Sequence, residues 1–297
     1  MKHSRVTKTL LILLLTIPVI AFSQESSRTL KRKIAIGRFS NETQYSKSVF
    51  YDKSNDPMGK QASDLLSSKL AISDKFILIE RLDFDKIVSE LNTSGVVSEG
   101  VGADYLIIGS ITEFGRKNIG KEKFFSNSKK QIVEAAVSIR IVDVATGLTI
   151  YGEEAKGEAF AENKQVLGLG DVADFDATLS DKAISAAINQ LVENIITKCM
   201  DKPWKAYLLS KEEGGYIISG GSSQGIRKGD VFSVIQKGKT VKNPQTGVNI
   251  ELPGKEVATI IVDQTLGDTP QNEISLVSLS SGTIGEDFSN YYITEKK

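Results

Sequence analysis

The sequence predicts an α/β fold in the broad α+β sense: a mixed sheet with flanking helices, followed by a small all-β, barrel-like domain. Three observations carry that expectation. From residue 33 to residue 200, apolar strand-like runs alternate with stretches of helical periodicity, the pattern of helices laid on a sheet. Two neighbouring runs, Gly102–Ile111 and Val137–Gly147, have the clearest strand character in the chain. From Trp204 to Lys297 short runs are broken by glycine pairs and turn signals, as in a small barrel or sandwich. Pro203 marks the boundary between the two textures, so residues 33–200 and 204–297 read as separate domains.

A polar leader, residues 24–32, precedes Ile34-Ala35-Ile36, a buried first strand. A polar loop follows from Ser40 to Asp56. Pro57 suits the first position of a helix, where its missing N–H costs nothing, and Asp56 suits the N-cap. Met58, Ala62, Leu65, Leu66 and Leu70 then recur at helical spacing. Residues 76–80, FILIE, form a second strand. Asp83 can cap a short helix whose Phe84, Ile87, Val88 and Leu91 share one face. The run from Gly102 to Ile111 is apolar and ends in small residues, like a strand buried on both faces. VSIRIVDV, from Val137, alternates apolar and polar residues and stops at Thr146-Gly147, a strand entering a turn. Leu148–Tyr151 is the next strand. Ser180 opens the strongest helix, with Ile184, Ala187, Ile188, Leu191, Ile195 and Cys199 as its stripe. Cys199 there reads as a packed core thiol. Further on, NPQTG at 243–247 is a turn between strands, and EVATIIVDQTL and ISLVSLSSG are strands.

Lys2, Arg5 and Lys8 precede a short apolar core, residues 10–22, and Ala21-Phe22-Ser23 fits a small-x-small cleavage site. Residues 1–23 therefore read as a secretory signal peptide, with Gln24 first in the mature chain. The apolar stretch falls short of the ~20 residues that a spanning helix needs, which weighs against an uncleaved anchor. Cleavage removes His3, the only histidine, and three basic residues. The mature 274 residues then carry 34 lysines and arginines against 37 acids, a formal charge near −3. That balance gives no reason to expect nucleic acid. Cys199 is the only cysteine, so no intrachain disulfide can form. A metal centre of the His/Cys kind has no ligand set.

The order GADYLIIGSITEFG, then a strand, then DVATGLTIY, resembles the curli secretion channel family, CsgG, over roughly residues 33–200. The resemblance implies the mixed α/β fold and a homo-oligomeric ring, with no cofactor and no covalent chemistry. Members of that family usually carry a lipobox cysteine where this chain has Ser23 and Gln24, so no lipid is expected at the mature N-terminus. The order QGIRKGDVFSV, NPQTG, VATIIV resembles the C-terminal domain of the flagellar assembly protein FlgT, a periplasmic ring-associated module. In curli-type channels the loop between the first strand and the first helix lines the narrowest part of the pore, with a Tyr-x-x-x-Asn-Phe pattern. Tyr51 and Asn55 match it, Asp56 replaces the phenylalanine, and Tyr45 and Phe50 add aromatic surface. Tyr45, Phe50, Tyr51 and Asn55 are therefore the candidate pore-constriction residues, able to contact an unfolded chain by stacking and hydrogen bonding. The competing reading is a solvated loop in which Asp56 simply caps the helix.

Other motifs lead away from catalysis. Gly221-Ser222-Ser223-Gln224-Gly225 fits the nucleophile-elbow pattern, but a serine nucleophile needs a histidine base and the mature chain has none, so the motif reads as a turn. Gly168-Leu169-Gly170-Asp171-Val172-Ala173 fits a dinucleotide fingerprint without the preceding strand. Gly238-Lys239-Thr240 resembles a P-loop end, but Ser233 stands where its first glycine belongs. Neither catalytic, cofactor-binding nor metal-binding residues are assigned, and the chain is read as a non-enzyme.

A channel of the curli type contributes two hairpins per subunit to its barrel, with strands of ~9–11 residues. Gly115–Gln131 reads as too short for such a hairpin. Gly152–Leu179 is long enough, but its apolar positions do not alternate cleanly and charged residues, among them Glu162, Lys164, Asp171, Asp174 and Asp176, interrupt it. A periplasmic ring or scaffold is therefore expected before a pore built by this chain alone. The first reading is an exported curli-like assembly or transport component of a Gram-negative envelope. It would be periplasmic or outer-membrane associated, ring-forming, and partnered by secreted polypeptides or envelope proteins. The alternative is a soluble periplasmic scaffold or accessory protein that binds a partner with the same fold.

Overall fold

The structure is a computed structural model, described here for residues 28–43, 56–81, 102–123, 126–166, 178–245, 247 and 249–296. The predicted signal peptide, the helix after Asp83 and the glycine motif at Gly168 lie outside these residues.

Five strands form the first sheet: β1 (Arg32–Asn41), β2 (Phe76–Ile79), β3 (Tyr105–Lys123), β4 (Ser126–Asp143) and β5 (Thr149–Val166). Their order is β2-β1-β3-β4-β5. β1 runs parallel to β2 and β3, and the β3–β4 and β4–β5 pairs are antiparallel, which makes the sheet mixed, as the sequence predicts. α1 (Pro57–Ile72) is the crossover that parallel pairing of β1 with β2 requires. It packs on β1, β2 and β3, while α2 (Thr178–Met200) packs on β4, β5 and α1.

The core lies between the helices and one face of the sheet. Ile34, Ile107, Ile111, Val137, Ile139 and Ile141 meet Leu66, Leu70, Ile184, Ile188 and Leu191 there, all buried. Every member of the predicted α2 stripe is buried, Cys199 included. Burial pushes the Cys199 thiol up to about 12, so it stays protonated and packs as a small apolar group. On β5 the residues facing α2 are Ala155, Gly157 and Ala159. A Cβ at Gly157 would fall on the Ala183 carbonyl oxygen and the Ala187 amide nitrogen, so helix and strand approach closely only because this residue is glycine.

One strand assignment needs correction: the predicted strand Leu148–Tyr151 begins at Thr149 but continues to Val166. Gly115–Gln131, expected to be too short for a hairpin of its own, lies in β3 and β4. β3 and β4 stay paired through it, from Arg116 opposite Val133 to Lys123 opposite Ser126. The segment holds the outer ends of long strands rooted in the sheet, so it needs no free-standing hairpin. Backbone pairing carries strands through Glu- and Lys-rich stretches that have no apolar alternation to read. A bulge adds Thr112 between the pairs Ile111–Val137 and Glu113–Ala136, and so reverses the facing of β3 beyond it. Phe114 thus packs against the core, and Arg116 bonds to the Ser180 hydroxyl on α2.

The remaining strands are β6 (Lys205–Ala206), β7 (Leu208–Glu212), β8 (Gly215–Ser219), β9 (Val231–Gln236), β10 (Thr240–Lys242), β11 (Asn249–Glu251), β12 (Lys255–Leu266), β13 (Ile274–Gly282) and β14 (Tyr291–Glu295). Seven of them form an antiparallel, nearly closed, barrel-like sheet in the order β6-β14-β9-β12-β13-β8-β7. Trp204, Ile218, Phe232, Val234, Ile260, Val277 and Ile293 fill it. β10 and β11 form their own two-stranded sheet, joined by the predicted turn at Asn243.

The leader is not merely polar. Leu30 is buried in the second core, beside Trp204. Arg32 at the start of β1 is 3% exposed and donates to the Leu30 carbonyl at 2.7 Å and the Lys202 carbonyl at 2.9 Å. Its guanidinium lies 3.6 Å from Glu295 at the end of β14. One buried cation therefore ties the N-terminal segment, the end of α2 and the last strand together.

Candidate functional site

The loop that the curli resemblance singles out begins at the end of β1 and ends at α1. Tyr45, Phe50, Tyr51 and Asn55 lie outside the described residues, but both feet of the loop are defined. The Asp56 carboxylate accepts from the Asn41 N–H at 2.6 Å and from the Gly59 N–H at 2.9 Å. It thus caps α1 as predicted and also clamps the helix start to the strand end. Thr43 donates from its N–H and its hydroxyl to the Asn41 side-chain oxygen, at 3.0 and 2.7 Å. The end of β1 and the start of α1, on either side of residues 44–55, are therefore held together.

At the other side of the sheet, β3, β4 and β5 make a three-stranded ribbon of 19, 18 and 18 residues. Strands in globular proteins usually span about 5–6 residues. β4 is paired on both sides, whereas β5 has no strand on its outer edge among the described residues. Along that edge alternate N–H and C=O groups of β5 face no strand, and one of them, the Lys156 carbonyl, accepts from the Gln190 amide of α2 at 2.8 Å.

The two faces of the ribbon differ. The open face carries Glu113, Glu134, Arg140, Glu154, Lys156, Glu158 and Phe160, all exposed. Lys156 bonds to Glu113 at 2.6 Å across the intervening Ala136, and that hydrogen bond and charge raise the lysine pKa. Thr112 donates to Glu154 at 2.8 Å. Phe160 is 61% exposed, and the Lys130 ammonium lies 4.2 Å from its ring centre.

The base of the ribbon is held by two aspartates. Asp104, before β3, accepts from the Lys33 N–H at 2.7 Å, but burial dominates and raises its pKa. Burial also works against the charge of Asp143 at the end of β4. The Lys202 ammonium at 2.7 Å and bonds from Thr146 outweigh it there, and the pKa falls below the ordinary value.

The Gly221–Gly225 motif is a 3-10 turn over Ser222–Gln224, with Gly225 in the left-handed region at φ 93°. The hydroxyls of Ser222 and Ser223 both donate to Glu273, at 2.8 and 2.9 Å, and the Ser223 N–H donates there too. These bonds brace the turn against β13. Among the described residues no group of three His, Cys, Asp or Glu side chains converges as metal ligands would, and no helix is long and apolar enough to cross a membrane.

Residues 19–229 match the family described as curli production assembly/transport component CsgG. The chain is also similar to a protein of Neisseria meningitidis serogroup B described as a lipoprotein. That pair is 31% identical over 175 residues, which span 58% of this chain and 78% of the relative. Among solved structures, a hypothetical protein from Chlamydia trachomatis is similar at a TM-score of 0.31 and 15% identity, over 57% of this chain and 96% of that one. A PelC variant from Paraburkholderia phytofirmans, itself a dodecamer, is similar at a TM-score of 0.29 and 14% identity, over 58% of this chain and 93% of that one.

Proposed function

This chain belongs to the CsgG family, and from that membership we infer that it is an exported, envelope-associated assembly or transport component that works as a homo-oligomeric ring. The observation that carries the ring is the open edge of β5. An 18-residue strand with one edge unpaired among the described residues is a template for a strand of a second copy. Contacts that join one edge to a different surface are head-to-tail, and they close into rings when the rotation permits. The loop with Tyr45, Phe50, Tyr51 and Asn55, clamped at its feet by Asp56, then repeats around the ring axis and narrows its opening for a passing polypeptide.

The test is export from the full-length sequence in a Gram-negative host, followed by light scattering on the purified envelope protein and planar-bilayer conductance. A closed oligomer of defined mass supports the ring. A conductance altered by Tyr51→Ala supports the loop as its constriction. A monomer at all accessible concentrations removes the ring, and a ring without conductance leaves a periplasmic scaffold.

A further inference from the structure

Between β9 and β12 the chain makes an arm. From Lys239 to Glu256 the described residues are exposed, save Asn243, which is half-buried. β10 and β11 meet only each other, through three opposed pairs, and Val241 faces Ile250 in the middle one. The Leu252 N–H bonds to the Lys239 carbonyl at 3.0 Å, which continues that register, so Val241, Ile250 and Leu252 share a face with Lys239. These three aliphatic residues are 41%, 45% and 43% exposed. A lone two-stranded hairpin with a bare apolar face is marginal in water, so it needs a cover. The ammonium groups of Lys239 and Lys242 have no partner among the described residues. Lys237 is held by the Ser289 carbonyl, and Glu251 stands opposite Thr240.

The open face of the β3–β5 ribbon has the complementary defect. Glu134 and Glu158 lie directly opposite each other on adjacent strands, a like-charge pairing that is unfavourable unless a cation joins it. Neither has a hydrogen bond or salt bridge among the described residues, and the Lys156 ammonium, which also feels the charge of Glu134, is bonded to Glu113. Gly115 completes the row beside Glu134, and a Cβ there would meet nothing within 4 Å, so the row is a notch. The next row outward supplies apolar surface from Ile132 and Phe160, rimmed by Lys117 and Lys130.

We propose that the β10–β11 arm of one copy docks on the open face of the β3–β5 ribbon of a second copy. Lys239, which shares the face of Val241, Ile250 and Leu252, reaches between Glu134 and Glu158, and the three aliphatic residues cover Ile132 and Phe160. The contact rests on the ring reading and gives the ring a second, heterologous bond besides the β5 edge. It also explains two features that are unfavourable in a lone chain, the bare hairpin face and the opposed glutamates.

A charge swap tests it on the exported full-length protein, with light scattering as the readout and circular dichroism as the check on folding. Lys239→Glu should weaken assembly by about tenfold or more, and Glu134→Lys/Glu158→Lys should do the same. The chain carrying all three changes should assemble like the original. Variants that assemble unchanged overturn the arm contact and leave the ring standing. A combined variant that stays as weak as its parents overturns the pairing of these charges. A monomeric parent overturns both the ring and the contact. Pelleting with phosphatidylglycerol vesicles that depends on Lys239, with assembly unchanged in the variants, overturns the proposal in favour of a lipid surface.

Discussion

On the helix side of the first sheet, β4 presents Val133, Ala135, Val137, Ile139 and Ile141, every one buried. On the open side the same strand presents Glu134, Ser138 and Arg140, half or fully exposed, with Ala136 buried between them beneath Glu113 and Lys156. Registers are shared, so the difference lies wholly in side chains. The covered face is packed to close tolerance and fixes where α1 and α2 lie. The open face and the β5 edge contribute little to folding one copy and are free to serve contact between copies. Folding and assembly thus occupy opposite sides of one set of strands.

If that division is right, the largest penalty falls on Gly157. Gly157→Leu forces a side chain into the α2 backbone and should cost about 3 kcal/mol or more, read as a lower urea midpoint by circular dichroism. Retained stability would mean that α2 is not seated on β5 as described.

The clamp between the two cores comes next. Arg32→Met keeps the bulk but leaves the carbonyls of Leu30 and Lys202 without their donor. A loss of about 2 kcal/mol is expected, with Trp204 fluorescence unfolding earlier than the helical signal. Coincident transitions of unchanged midpoint would show that the cation is a bystander.

A smaller effect belongs to Asp143. Its folded pKa is depressed, so it stabilises the protein above the ordinary carboxylate range and stops doing so as pH falls through its lowered folded value. Asp143→Asn should cost about 1 kcal/mol at neutral pH, and the difference should vanish in acid. A pH-independent difference would assign the effect to packing.

The smallest change is on the open face. Lys156→Gln breaks an ion pair whose partners are both exposed and should leave the urea midpoint of one copy unchanged. A lowered midpoint would make the open face part of the folding problem after all.

Legibility in the sequence followed the same division. Ile34-Ala35-Ile36, the Asp56-Pro57 cap and the stripe from Ile184 to Cys199 are local patterns set by burial against one partner, and each lies where periodicity placed it. The reach of β3, β4 and β5 was hidden because Glu, Lys and Asn alternate with small residues there and no apolar period marks a strand. The small-residue repeat Ala155, Gly157, Ala159 was a readable sign that a helix crosses β5 closely. Leu30 and Arg32 gave no local sign, since Arg32 finds its acceptor 170 residues away at Lys202. Of the candidate site, the sequence placed the loop and its capping aspartate. The opposed glutamates appear only once the β4–β5 register is known.

The central claim is that β5 offers its outer edge to another copy. Amide hydrogen exchange along Thr149–Val166, compared between the assembled protein and the same protein diluted to monomer, tests it most directly. The account predicts that the β5 amides pointing away from β4 are protected in the assembly and exchange quickly in the monomer, while those bonded to β4 are protected in both. Fast exchange of the outward amides in a fully assembled sample would contradict it.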